Sequence, residues 1–179
     1  MASWSALLER RTGVQALWKD HVETWSDSMT KSEVTSERRK LFIWFFGVPT
    51  LAAVPPILWH FNLNNVGQIL TGTGVMTALL FGLLGVIFNM GVTLRKEGDK
   101  FPNAHNLPRA ISDLRANATY AIVVGFILSL TLGVASAVSK TPVLAWGWTP
   151  PVVWLVVHLV LTLLMILRRF RTAFNYITR

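Results

Sequence analysis

Residues 41–94 read LFIWFFGVPTLAAVPPILWHFNLNNVGQILTGTGVMTALLFGLLGVIFNMGVTL, 54 residues without one Asp, Glu, Lys or Arg. A hydrocarbon core about 30 Å thick is crossed by about 20 apolar residues in a helix. The stretch is therefore too long for one crossing and long enough for two. It is interrupted once, at Phe61-Asn62-Leu63-Asn64-Asn65, where three asparagines favour a tight turn. Two further charge-free stretches follow, 116–139 and 141–167. The pattern predicts an all-α polytopic membrane protein with four transmembrane helices over about 41–60, 66–93, 118–138 and 149–168.

Composition agrees. Hydrophobic residues make up 52% of the 179-residue chain and charged residues only 15%, well below the roughly 25% usual in soluble domains. The absence of cysteine excludes a disulfide scaffold, a thiol nucleophile and Cys-ligated metal or iron–sulfur centres. No cleavable leader is apparent.

The net charge of +8 is distributed by topology. Of 17 Lys and Arg residues, seven precede the first span, five lie in the 95–117 loop and four follow residue 167. Only Lys140 falls on the other side. The positive-inside rule then puts both termini in the cytoplasm, with the plasma (inner) membrane as the location. The same count explains the basic balance as a topology and anionic-lipid signal, not a nucleic-acid one. Trp59, Trp146 and Trp148 fall at the expected outer interface, and Trp44, Phe45 and Phe170 near the inner one. The expected organisation is an amphipathic cytoplasmic segment 1–40, a membrane domain 41–168 and a basic tail 169–179.

Within the N-terminal segment, Trp4, Leu7, Val14, Trp18, Val22, Trp25 and Met29 fall within an arc of about 80° at 100° per residue. Arg11 interrupts the stripe, and Glu9, Asp20, Glu23 and Asp27 occupy the far side. A helix lying on anionic lipid prefers a basic polar face. The acidic back leaves lipid, the protein's own spans, a neighbouring protomer and a separate partner as candidates for the stripe Trp4, Leu7, Trp18, Val22 and Trp25. Thr30-Lys31-Ser32-Glu33 has capping-box spacing and predicts a new helix leading into the first span, with a hinge over 26–30.

The spans themselves carry small residues at helical spacing. Gly67, Thr71, Gly74, Ala78, Gly82, Gly85 and Asn89 line one face of the second span. Ala118, Gly125, Ser129, Gly133 and Ala137 repeat the device in the third. Such faces permit close helix packing in lipid, within one chain or between copies. Pro49, Pro55 and Pro56 predict a bend or a broken turn in the first span. A short helix is expected to start near Pro108 and lead into the third span.

Candidate polar groups inside the membrane are His158, Ser129, Thr162 and Asn89. An ionisable residue at mid-span is costly and marks a site by default. Ser129 and His158 both lie near the middle of their spans, so a Ser129–His158 contact across neighbouring helices is one expectation, and an interhelical hydrogen bond of His158 the plainer one. Thr162 shares the face of His158 one turn on. Asn117-Ala118-Thr119 matches a glycosylation sequon on the expected cytoplasmic side. There is no Walker loop, dinucleotide motif, paired intramembrane acid or inverted repeat. Glu97, Asp99 and His105 lack metal-ligand spacing.

In layout the chain is similar to small four-span proteins such as phage or prophage exclusion proteins and membrane effectors of bacterial immunity. That likeness is one of architecture and transfers no residue. The resulting expectation is a non-enzymatic protein without cofactor or metal, self-assembling through its Gly-rich faces and altering permeability as a channel or effector. The alternatives are an accessory or anchoring subunit of a larger membrane complex, and a small transporter or intramembrane enzyme. The expected partners are the lipid bilayer and either further copies or other membrane subunits.

Overall fold

Helices account for nearly all of the residues that the computed structural model describes, namely 13–24, 31–97, 107–139 and 143–178. They are α1 (Val14–Glu23), α2 (Lys31–Leu58), α3 (Val66–Glu97), α4 (Leu107–Val138) and α5 (Thr149–Thr178), the last entered through a single 3-10 turn at Trp146–Trp148. α2 to α5 are each long and apolar enough to cross a membrane. The protein is an all-α, four-span membrane protein, with no strand among the described residues. Trp4, Leu7, Trp25, the 26–30 hinge and the middle of the 95–117 loop lie outside the described residues.

The helices coincide with the four expected spans and run past them. α2 begins at Lys31, inside the predicted capping box, and α4 begins at Leu107, with Pro108 in the first turn where its missing N–H costs nothing. α1 is shorter than the stripe implied. Gly13 sits at φ +59, a left-handed conformation that glycine adopts freely and that a continuous right-handed helix cannot contain. The broken turn expected at the prolines is not found, because α2 is continuous through Pro49, Pro55 and Pro56. What each proline removes is the donor for the carbonyl four residues earlier.

The four long helices form an open row in which α4 packs on α3 and on α5, and α5 packs on α2. α2 and α3, although joined by a short turn, do not pack along their length. α1 lies against α4, at the end of the bundle where Arg39, Lys40, Arg115 and Arg169 gather, called here the basic end. The core runs along α4 through Leu114, Ala118, Ala121, Leu128, Leu132 and Ala135, all at most 1% exposed. At the opposite end the two connections meet, with the Leu144 amide donating to the Leu63 carbonyl at 2.8 Å. Asn65 closes that turn at φ +59, a conformation asparagine tolerates.

Among the described glycines, a side chain would meet the tightest contact at Gly125. A Cβ there would stand 2.6 Å from Thr77 Oγ1, and that hydroxyl is held by its bond to the Thr73 carbonyl at 2.8 Å. Gly125→Ala is therefore expected to push α3 from α4 or break the Thr77 bond, costing about 1–3 kcal/mol as overpacking does. Gly74→Ala, with nothing within 4 Å, should change stability by less than about 0.5 kcal/mol. Thermal unfolding of the two variants in detergent checks this, and equal melting temperatures would refute the close contact.

Candidate functional site

The largest concentration of buried polar groups begins with what Pro49 removes. Its missing N–H leaves the Phe45 carbonyl of α2 without a helical donor. His158 of α5 supplies one, with Nδ1 lying 3.1 Å from Phe45 O. A carbonyl only accepts, so Nδ1 carries the proton and Nε2 is the acceptor. Nε2 lies 2.8 Å from the Tyr120 hydroxyl of α4, which therefore donates to it. His158 is 1% exposed, and as a neutral imidazole with both nitrogens bonded it carries no desolvated charge.

Aromatic rings enclose this pair. The Trp154 ring stacks on His158 at 5.0 Å between centroids and 12° between planes, while Phe45 and Phe46 approach it at 6.0 and 5.6 Å. Trp154 Nε1 donates to Thr50 Oγ1 at 3.2 Å, a second tie between α5 and α2. Thr162, buried as well, donates to the His158 carbonyl one turn back at 2.9 Å.

α1 closes the other face of Tyr120. The His21 ring stacks on Tyr120 with centroids 3.9 Å apart and planes 14° apart. Its Nδ1 is 2.7 Å from Asn117 Oδ1, and Asn117 Nδ2 donates to the Asp113 carbonyl at 2.9 Å. With the amide so oriented, Oδ1 accepts and His21 donates. Thr24 donates to the His21 carbonyl at 2.6 Å and faces Asn117 Oδ1 at 3.2 Å. Trp18 lies over the junction, 5.8 Å from both Tyr120 and Phe46. At the basic end, Arg169 pairs with Asp113 at 2.6 Å and pins the register of α5 on α4.

This geometry decides where the expected site residues fall. His158 and Thr162 are in the cluster. Ser129 is not, and the Ser129–His158 pair is not formed: Ser129 bonds the Gly125 carbonyl of its own helix at 3.0 Å. It lies nine residues beyond Tyr120, about 13 Å further along α4. Asn89 is exposed on α3, away from the cluster. Of the stripe, Trp18 packs on the protein's own helices and Val22 is half-buried. Of the packing residues, Gly125 meets Thr77, whereas Gly67, Gly74, Ala78, Gly82, Gly85 and Gly133 are exposed.

His21, Asn117 and Tyr120 carry the site and were not among the sequence candidates. One signal for His21 exists: it falls about 20° beyond the edge of the Trp stripe and three residues from Trp18. No group of three or more potential metal ligands occurs among the described residues. The hydrogen bonds link α1, α2, α4 and α5 at one point, which makes the cluster a clamp for α1. No protein-family model, curated protein or solved structure matches the chain.

Burial pushes His21 from 6.5 down to about 4, against the Asn117 hydrogen bond, which favours the charged form; the Arg169 charge nearby adds to the lowering. An undocked His21 would titrate near 6.5. Docking of α1 is thus at full strength above about pH 6.5 and weakens as pH falls from there toward 4, where the undocked helix binds a proton that the docked one excludes. The expected loss is roughly 3 kcal/mol between pH 7 and pH 4. The chain has no cysteine, so a spin label at Ala16→Cys, an exposed position on α1, reports α1 alone. Its mobility should rise between pH 6.5 and 4.5, and His21→Phe should abolish the pH dependence. A spectrum identical at both pH values would sink the assignment.

Proposed function

We propose that the protein is a non-enzymatic membrane protein of the plasma (inner) membrane, with both termini in the cytoplasm, that self-assembles through α3 and in that form alters bilayer permeability. The observation that supports this is the outward direction of the small-residue face. Gly67, Thr71, Gly74, Ala78, Gly82, Gly85 and Asn89 are all exposed, and the four glycines have nothing of the chain's other elements within 4 Å. They lie about 140° round the helix from Thr73, Thr77 and Leu80, which face α4. Close packing of small faces is a main source of association in lipid. Two copies inserted in the same sense bring their Asn89 side chains to equal depth, where each amide offers the other donor and acceptor.

The test is the particle mass in nanodiscs, followed by conductance in planar bilayers. The wild type is expected to be a defined homo-oligomer. Gly74→Leu with Gly82→Leu should give monomers with an unchanged melting temperature, since a Cβ at either position meets nothing within 4 Å among the described residues. Conductance should disappear with the oligomer. A monomeric wild type refutes self-assembly, and a particle that co-purifies with a different chain favours the accessory-subunit reading instead. An oligomer silent in bilayers refutes the permeability role.

A further inference from the structure

At the basic end, α3 and α4 flank a groove of about 770 Å³, walled by Leu84 to Arg95 on α3 and by Pro108 to Thr119 on α4. Each wall spans twelve residues, about 16 Å of helix. On α3 the groove is apolar toward the membrane centre, with Leu84, Ile87 and Phe88, and ends at Arg95 on the basic side. On α4 it carries the Ser112 hydroxyl and Arg115, which stands level with Ile87 in the register that sets Thr77 against Gly125 and Gly91 against Ile111. Both arginines are exposed, and because side chains lean toward the N-terminus of their own helix the two lean toward each other. Among the described residues no carboxylate lines the groove. Asp113, the acid nearest to Arg115 on α4, is bonded to Arg169 of α5 instead. Gly91 keeps the groove open: a Cβ there would already stand 3.9 Å from the Ile111 side chain, so a large side chain would fill the space between the walls.

We propose that this groove binds one anionic phospholipid, its phosphate on Arg95 and Arg115 and an acyl chain along Leu84, Ile87 and Phe88. The apolar stretch of α3 and the two arginines select the ligand together. A free phosphate leaves the apolar stretch uncovered, and an uncharged lipid leaves two guanidiniums without an anion. Guanidinium groups match phosphate oxygens bidentately. Basic pockets between transmembrane helices at the positively charged side of a membrane suit acidic headgroups for the same reason. The volume is in the range of ligand sites. The groove and the small-residue face occupy different arcs of α3, so the proposal is independent of self-assembly.

The test uses delipidated full-length protein in detergent, with bound dioleoyl phosphatidylglycerol counted by native mass spectrometry. Wild type should retain the lipid at least tenfold more tightly than chain-matched phosphatidylcholine. Arg95→Gln with Arg115→Gln should weaken retention at least tenfold, and Gly91→Phe should do so with every charge intact. Arg168→Gln with Arg171→Gln removes the same charge from exposed positions outside the groove and should leave retention unchanged. An equal loss in that control pair would mean diffuse surface attraction and would overturn the site. Equal retention of phosphatidylcholine would overturn it as well. Displacement of the lipid by millimolar inorganic phosphate would assign the arginines to a soluble anion and overturn the lipid. Melting temperatures separate a lost site from a lost fold: the arginine variants, altered only at exposed side chains, are expected to melt with the wild type.

Discussion

One carbonyl oxygen, that of Phe45, organises the basic end of this protein. Pro49 leaves it without a helical donor, and within a membrane no water replaces the lost bond. An interhelical hydrogen bond in lipid contributes only about 0.6 kcal/mol. A backbone carbonyl left bare in hydrocarbon costs several kcal/mol. The His158–Phe45 bond is therefore held less by what it contributes than by what its absence would cost. Once Nδ1 of His158 is committed to Phe45, Nε2 can only accept, and Tyr120 is the donor that reaches it. The Tyr120 ring then presents a face for His21, and α1 acquires a place on the bundle. A helix-breaking residue in α2 thus determines, through α5 and α4, where a helix outside the spans is docked.

Hydropathy is a one-dimensional signal, so the four spans were legible to within a few residues from the charge gaps alone. The cost of a mid-span imidazole was legible too, and it singled out His158. Its partner was not. Pairing Ser129 with His158 assumed that the midpoints of two apolar runs share a depth. The structure sets the register by Asp113 and Arg169, two charges at the basic end of the bundle, and by the start of α4 at Leu107. That register brings Tyr120 to His158 and carries Ser129 about 13 Å away. Pro49 was readable as a kink, yet its consequence is a bare acceptor, and which donor meets it depends on a helix more than a hundred residues later in the chain. His21 sits in a short polar helix where a histidine looks like ordinary solvated surface. Only the stacking partner on α4 makes it a buried group.

The clamp draws side chains from α1, α2, α4 and α5 and none from α3. Among the described helices α3 packs chiefly on α4, through Thr77 against Gly125 and the apolar contacts of Leu80 and Ile87. That edge position has two physical consequences. The face of α3 opposite α4 is exposed among the described residues, and it is there that the small residues and Asn89 stand. Beside α4 the two helices flank a groove at the basic end, where Gly91 supplies no side chain to fill it and two arginines line it. A closed bundle with α2 packed on α3 would lose the free ridge, because the open row is what keeps the outer face of α3 uncovered. The contacts that fasten α1 and the surfaces that α3 leaves open are thus separate parts of the molecule. Substitutions on the ridge or in the groove act on surroundings that the His158–Tyr120–His21 stack does not share.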